Sequence, residues 1–261
     1  MAATTNGNAS RMDGTTDALR IEDFLRTMNT QKSLGINPQL SASILALSNN
    51  LTYRKVNLSE VPAEKAQHLL AECFVKKGDL EKSAGMVAED FCPVIRNAWQ
   101  SHLKYSFVLL DLKDEIVAVA TIADAVDLAN LNSDGCHPHV KEVFSYLGHL
   151  DELVQDHIPQ NPQPGEVLSV HLLGTAQTNS RTENIYLMYL MEEEIHKRAA
   201  ENKFKLCVAQ NTNALTQQLS QFFGCKRVLS DHPTGYVNQR GETPFAAVPE
   251  WKVVTVDVKE Y

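Results

Sequence analysis

The chain has 261 residues, 43% of them hydrophobic and 21% charged, with a formal net charge of −8 at pH 7. That balance fits a globular protein with a sizeable core, and the acidity argues against nucleic acid as a main partner, since that requires a basic surface. Cysteines 73, 92, 136, 207 and 225 form no C-x-x-C pair, no apolar run approaches the roughly 20 residues of a membrane span, and the N-terminus lacks a signal peptide's apolar core. The expectation is a cytoplasmic protein with reduced thiols and no membrane partner, in which the sequons at Asn8, Asn50 and Asn57 are idle.

Residues 1–17 are rich in Ala, Thr, Asn, Gly and Ser and cannot bury enough surface to offset their ordering entropy, so they read as disordered. Leu19, Ile21, Phe24, Leu25 and Met28 would make a short amphipathic helix over 18–28, and 29–50 is polar apart from an apolar patch at 44–47. Residues 1–50 are therefore expected to be a disordered or loosely attached arm, and 51–261 the folded domain. Residues 51–57 read as a strand. Ser59 and Pro62 signal a helix start, and Ala66, Leu69, Leu70, Cys73 and Phe74 recur at helical spacing until Lys76-Lys77-Gly78-Asp79 breaks it. A second helix over 88–103 turns Phe91, Ile95, Ala98 and Trp99 inward. Runs at 105–112 and 115–124, joined by Lys113-Asp114, read as a hairpin. A loop over 127–137 precedes a helix at 140–157 with Val143, Phe144, Leu147, Leu150 and Val154 inward.

The rest of the chain is organised around residues 166–201. An apolar strand passes through a short polar turn into a helix with apolar residues at 185, 187, 188, 191 and 195 on a mostly single face. Such a turn leaves the first N–H groups of the helix unpaired at its positive end, which makes an anion site suited to a pyrophosphate. This turn contains no glycine. A strand at 204–209, a helix at 211–223 ended by Gly224, and strands at 225–229 and 251–258 complete the chain. The order β-α-α-β-β-α-β-α-β-α-β-β is a mixed α/β layout, one central sheet with helices on both faces.

That order resembles the GNAT superfamily of acyl-CoA-dependent N-acyltransferases, over about residues 52–261. The narrower resemblance is to the insect-type arylalkylamine (dopamine) N-acetyltransferases. Cys136-His137-Pro138-His139-Val140-Lys141, followed by Gly148-His149-Leu150-Asp151-Glu152, is similar to that family's helix ahead of the cofactor strand. The tail through Gly241-Glu242, Phe245 and Pro249 resembles its closing strand, and Phe223-Gly224-Cys225 stands where the family has Leu-Gly-Phe. The resemblance implies a GNAT-type fold with a central, mostly antiparallel twisted sheet, acetyl-CoA as acyl donor, and a small primary amine as substrate.

It also implies site residues. The family's cofactor turn, R-G-x-G-I-A/G, corresponds to Arg181-Thr182-Glu183-Asn184-Ile185-Tyr186. Arg181 and Ile185 match, whereas Thr182 and Asn184 replace both glycines. Asn tolerates positive φ, so Asn184 could keep the backbone shape; Glu183 adds negative charge and Tyr186 adds bulk. The alternative is a helix start capped by Ser180 or Thr182 with no ligand. Gly174, Thr175, Ala176 and Gln177 would offer backbone groups to the pantetheine arm. The chemistry needs a base for the ammonium substrate and a proton donor for the departing thiolate. The family's glutamate aligns with Gly78, and Asp79 or Glu81 is the nearest carboxylate able to replace it, the alternative for each being a solvated surface acid. Two serine hydroxyls of the family correspond to Thr212 and Thr216, which could equally be an N-cap and a groove-facing side chain. His149 and His171 are further candidate bases.

No metal is expected, because Cys136-His137-Pro138-His139 has no second Cys/His pair to complete a site. Glu192-Glu193-Glu194 with Lys197-Arg198 reads as a solvated helix face. The leading expectation is an acetyl-CoA-dependent N-acetyltransferase acting on an arylalkylamine. The alternatives are a catalytically silent GNAT-fold binding protein and an acyltransferase for polyamines or longer acyl-CoA.

Overall fold

Seven runs of apolar and β-branched residues pair into one sheet in a computed structural model that describes residues 14–29, 36–128 and 136–261. They are β1 (Arg54–Asn57), β2 (Phe107–Leu110), β3 (Ile116–Asp124), β4 (Val167–Thr175), β5 (Leu206–Asn211), β6 (Lys226–Asp231) and β7 (Val254–Glu260). Their order across the sheet is β1-β2-β3-β4-β5-β7-β6. Every neighbouring pair is antiparallel except β4 with β5. This is the mixed α/β sheet that the element order predicts, mostly antiparallel as the resemblance implies. β2 is buried at all four positions, and β3 from Ala118 onward, because helices cover both faces.

Helices α1 (Gly14–Asn29), α2 (Pro38–Asn50), α3 (Ala63–Lys77), α4 (Asp79–Ser83), α5 (Ala88–His102), α6 (Ala125–Leu128), α7 (Pro138–Leu153), α8 (Arg181–Glu201) and α9 (Ala214–Phe222) complete the described residues. Two apolar cores result. On one side, Leu70 of α3, Ile95 of α5 and Tyr146 of α7 join Val119, Val208 and Val256. On the other, α1, α2, α8 and α9 pack over Phe107, Ala120, Leu168 and Cys207. Phe91, Ile95, Ala98 and Trp99 face inward from α5 as their spacing predicts.

The N-terminal segment departs from expectation. Residues 1–13 lie outside the described residues, but residues 14–50 are no loose arm where the structure describes them. Ile21, Phe24, Leu25 and Met28 of α1 and Ile44 of α2 are all buried. The Phe24 ring lies 5.6 Å from Tyr189 and 5.3 Å from Phe222. The cause lies in α8, whose residues from Ile185 to His196 are buried all around rather than on one face. Its outward side carries Tyr189 and Leu190, and α1 and α2 keep that side from water. Similarly, the region read as a loop over 127–137 begins inside α6, and 129–135 lies outside the described residues.

The same burial overturns the reading of Glu192-Glu193-Glu194 as solvated. All three are buried, and each has a partner, as buried carboxylates require. Glu192 accepts from the Ser220 hydroxyl at 2.9 Å, Glu193 pairs with Arg20 at 3.1 Å, and Glu194 pairs with Lys55 and with Arg198 Nε at 2.8 Å. Burial pushes the Glu192 carboxyl up to about 7. No helix among the described residues is long and apolar enough to cross a membrane.

Because Phe24 is fully buried between α8 and α9, Phe24→Ala is expected to destabilise the fold by about 3–5 kcal/mol. A urea-unfolding midpoint equal to that of the unaltered chain would show the arm to be dispensable.

Candidate active site

The site is built on a divergence of strands. β4 and β5 stay paired over only four positions, Val167 with Leu206 through Val170 with Ala209. Beyond them β4 continues against β3 as far as Thr175, while β5 continues against β7 as far as Asn211. The wedge between them opens into a cavity of about 940 Å³, lined by His171, Leu172 and Thr175 on one side and Gln210, Thr212 and Thr216 on the other. Phe74 of α3, Phe91 of α5 and Phe144 of α7 close it with aromatic surface.

A bulge shapes the β4 wall. Thr121 pairs with Leu172 and Ile122 with Val170, so His171 is the extra residue, and a bulge of this kind re-aims a side chain. His171 Nδ1 lies 2.9 Å from Nε2 of His102, and the rings stack 4.9 Å apart. Burial holds His102 down to about 4, and burial followed by the neighbouring His102 holds His171 down to about 3. Both are neutral at physiological pH. His149 does not line the cavity; its Nδ1 faces Glu152 at 3.9 Å.

The turn from β4 to α8 is closed by the chain itself. Ser180 is the N-cap: its hydroxyl accepts from the Glu183 N–H at 3.2 Å, and the Glu183 carboxylate accepts from the Ser180 N–H at 2.7 Å. The pattern Ser180-Arg181-Thr182-Glu183 is a capping box, a sequence signal that points to this closure directly. Asn184 does not take the positive φ suggested for a glycine substitute; it sits inside the first turn of α8. Its side chain donates to the Asn179 carbonyl at 3.4 Å and accepts from Lys77 Nζ at 3.4 Å. Lys77 also donates to the hydroxyl and carbonyl oxygens of Thr175, at 2.9 and 3.3 Å, tying the end of α3 to the end of β4.

Of the ten residues expected around a cofactor, Thr175, Arg181, Asn184 and Ile185 line the cavity; Gly174, Ala176, Gln177, Thr182, Glu183 and Tyr186 do not. Gly174 faces α3, where a Cβ would come within 3.0 Å of Leu70 Cδ2. The Ala176 N–H bonds the Val117 carbonyl at 2.9 Å. Gln177 Nε2 donates to the Glu72 carbonyl at 3.3 Å. Tyr186 is buried, its ring 6.1 Å from that of Tyr53.

The carboxylates sort clearly. Asp79 opens α4 and pairs with Lys252 Nζ at 2.6 Å, outside the cavity lining. Glu81 lines the cavity, is only 3% exposed, and its Oε2 has no hydrogen-bond partner among the described residues. Burial pushes its carboxyl up to about 7 against the pull of Lys252. Gly78 makes room for it: a Cβ at position 78 would run into the Glu81 carboxylate. Glu81 thus fills the space beside the very position that aligns with the family's glutamate.

A second cavity carboxylate, Asp151 at the end of α7, accepts from Gln210 Nε2 at 2.6 Å and is pushed up to about 6 by burial. Asp151 appears in the sequence only as part of a motif match; its role in the wall depends on the strand divergence. Thr212 and Thr216 both line the cavity. The N-cap of α9 is Asn213 rather than Thr212, and the Thr216 hydroxyl donates to the Asn213 carbonyl at 2.9 Å. Away from the cavity, α5 supplies the third group that the sequence could not place beside His137 and His139. Asp90 Oδ2 lies 3.6 Å from Nδ1 of His137 and 4.0 Å from Nδ1 of His139 while also accepting from the Val87 N–H.

Comparison with known proteins agrees with this architecture. No protein-family profile matches the chain. The β-alanyl-bioamine nonribosomal peptide synthetase ebony of Drosophila melanogaster is 26% identical over 228 residues, covering 85% of this chain. The chain spans about a quarter of the length of that curated relative (25%). Among solved structures, the C-terminal condensation domain of Ebony in complex with β-alanyl-dopamine superposes with a TM-score of 0.71 at 25% identity, covering 81% of this chain and 99% of that one. A mosquito arylalkylamine N-acetyltransferase (like 5b) gives a TM-score of 0.63 at 13% identity, with 81% and 100% covered. The polyamine N-acetyltransferase of Drosophila melanogaster gives 0.57 at 18%, with 81% and 100% covered. The fold is that of the GNAT N-acyltransferases, with insect arylalkylamine enzymes among its structural neighbours.

Glu81 makes a pH-dependent contribution to stability. Its folded value of about 7 lies above its ordinary 4.5, so it favours the fold below pH 4.5 and that contribution is lost as pH rises through 7. The shift corresponds to about 3 kcal/mol. Glu81→Gln is expected to gain stability relative to the parent between pH 5 and 8, and parallel stability curves across that range would exclude a buried, unpaired carboxyl.

Proposed function

We propose that this chain, built on the GNAT acyltransferase fold, transfers an acyl group from a thioester to a small primary amine. The observation that carries the reading is the Glu81 carboxyl: buried, unpartnered at Oε2, and facing a cleft made by diverging β4 and β5. A base with a value near 7 is matched to removing a proton from an amine at physiological pH. The amine nitrogen then attacks the thioester carbonyl carbon, forming a C–N bond as the C–S bond breaks. Glu81 takes the proton from nitrogen and one proton passes to the sulfur, which leaves as a thiol; the hydroxyls of Thr212 and Thr216 on the β5 side of the cavity are proposed to relay that proton, each giving one and regaining one. Asp79, paired to Lys252, supports the α4 turn that carries Glu81. The neutral His171–His102 pair presents an uncharged wall to the reacting carbonyl.

The finer reading is an arylalkylamine acetylated from acetyl-CoA in the cytoplasm. The aromatic wall of Phe74, Phe91 and Phe144 supports an aromatic amine, and the unpaired edge of β4 beyond Val170 suits a pantetheine arm. Asp151 favours a second reading. A further carboxylate in the same cavity suits a second ammonium group, carried by a polyamine or by an aminoacyl chain such as the β-alanyl group bound in the Ebony structure.

Free-thiol release across a panel of amines and acyl thioesters tests the reading. Turnover is expected to rise with pH to a plateau above about 7, because the ionised Glu81 is the active form. Glu81→Gln should remove that inflection and lower kcat on the order of 10²-fold or more. An unchanged profile in that variant would exclude Glu81 as the base, and a complete lack of turnover on the whole panel would favour the silent binding fold. Thr216→Ala should lower turnover more than Asp79→Ala; equal effects would undo the roles assigned to them. Asp151→Asn should raise KM for diamines and aminoacyl donors while sparing monoamines with acetyl donors.

A further inference from the structure

The fold implies an acyl donor with two recognisable parts, a pantetheine arm and a nucleotide diphosphate, and the two parts meet different receptions here. The arm has a place: β4 beyond Val170 leaves its β5 side unpaired along the cavity, with Thr175, Arg181 and Asn184 at the upper end. The diphosphate does not. A diphosphate at a helix start depends on backbone N–H groups and on the positive end of the helix. Of the N–H groups at this helix start, that of Glu183 is taken by the Ser180 hydroxyl and that of Ser180 by the Glu183 carboxylate. Glu183 therefore places its own negative charge where a phosphate would have to approach.

The two positions that would be glycine also carry side chains, and one of them is engaged. Asn184 bridges the Asn179 carbonyl and Lys77, joining the turn to α3. Glu183 and Asp111 both bear on Tyr53, whose hydroxyl is pushed up to about 12 by burial first and then by those two charges. The turn is thus closed by its own side chains, and the cations beside it, Lys77 and Arg181, stand at the cavity end with Thr175 and Asn184, Lys77 already bonded to the chain.

Resting on the transfer reading above, we infer that this site recognises its donor by the pantetheine thioester alone and makes no productive contact with the nucleotide diphosphate. The capping box of Ser180 and Glu183 takes the place of the phosphates. Donors lacking the nucleotide then serve as well as coenzyme A thioesters, whether the pantetheine is free or is the prosthetic arm of a carrier protein.

Calorimetric titration of the full chain with coenzyme A, with pantetheine, and with adenosine 3′-phosphate 5′-diphosphate tests this without turnover. Coenzyme A and pantetheine are expected to bind with dissociation constants within about threefold of each other, and the nucleotide to give no heat up to about millimolar concentration. Coenzyme A binding more than about tenfold tighter, about 1.4 kcal/mol, or any saturable nucleotide binding, overturns the inference and leaves the transfer reading standing. No heat with either coenzyme A or pantetheine overturns both. Glu183→Gln supplies the residue-specific arm: it should tighten coenzyme A selectively, and an equal change for pantetheine would remove Glu183 from the explanation. Comparing acetyl-CoA, acetyl-pantetheine and acetyl-loaded carrier protein as donors then separates the sources. Saturation at lowest concentration with the carrier assigns a protein-borne arm, and parity among the three assigns free pantetheine thioesters; a preference for acetyl-CoA counts against the inference.

Discussion

Everything in this molecule depends on how far two parallel strands stay together. β4 and β5 are hydrogen-bonded for four residue pairs and then follow different neighbours, β3 on one side and β7 on the other. Each strand keeps its ladder on its outer side, so the split leaves only the facing edges without strand partners, which a polar ligand can satisfy. A parallel pair is also where the crossover helix α8 must pass, and that helix begins at the mouth of the wedge. Fold and site are thus one construction.

The second governing constraint is the burial of charge. Helix α8 carries three consecutive glutamates into the interior, and the sheet edge, α1 and α9 meet them with Lys55, Arg20 and Ser220, while Arg198 reaches back from α8 itself. There the partners are fixed and the charges serve the architecture. Glu81 differs because it lines the cavity and forms no ion pair among the described residues. The same physical cost that α8 offsets by pairing is left uncompensated at this carboxylate beside the cleft, and a group held that way is available for chemistry.

Much of the fold was legible in the sequence because it rests on short-range signals. Strand composition, the break at Gly78 and the inward face of α5 all follow from local periodicity, and their order gives the sheet. The parts that sequence could not show depend on burial from outside the segment. The polarity of Glu192 to Glu194 predicts a wet surface, and only the packing of neighbouring elements, α1 and α2 among them, reverses it. The choice between Asp79 and Glu81 likewise turns on which carboxylate the α4 turn directs inward, a matter of two residues in a five-residue helix. The closed turn from β4 to α8 is legible in Ser180-Arg181-Thr182-Glu183, and of the two caps that the sequence offers, Ser180 and Thr182, the structure takes Ser180.

Gly78 carries a consequence for how such a site can change. A side chain there would meet the Glu81 carboxylate and come within 2.6 Å of the Phe74 carbonyl oxygen, which accepts the N–H that ends α3. With the backbone held as it is, a carboxylate can therefore be supplied from position 81 but not from position 78. A side chain at position 78 would require the end of α3 to lie elsewhere. Moving the carboxylate along this turn is therefore a change of backbone before it is a change of side chain.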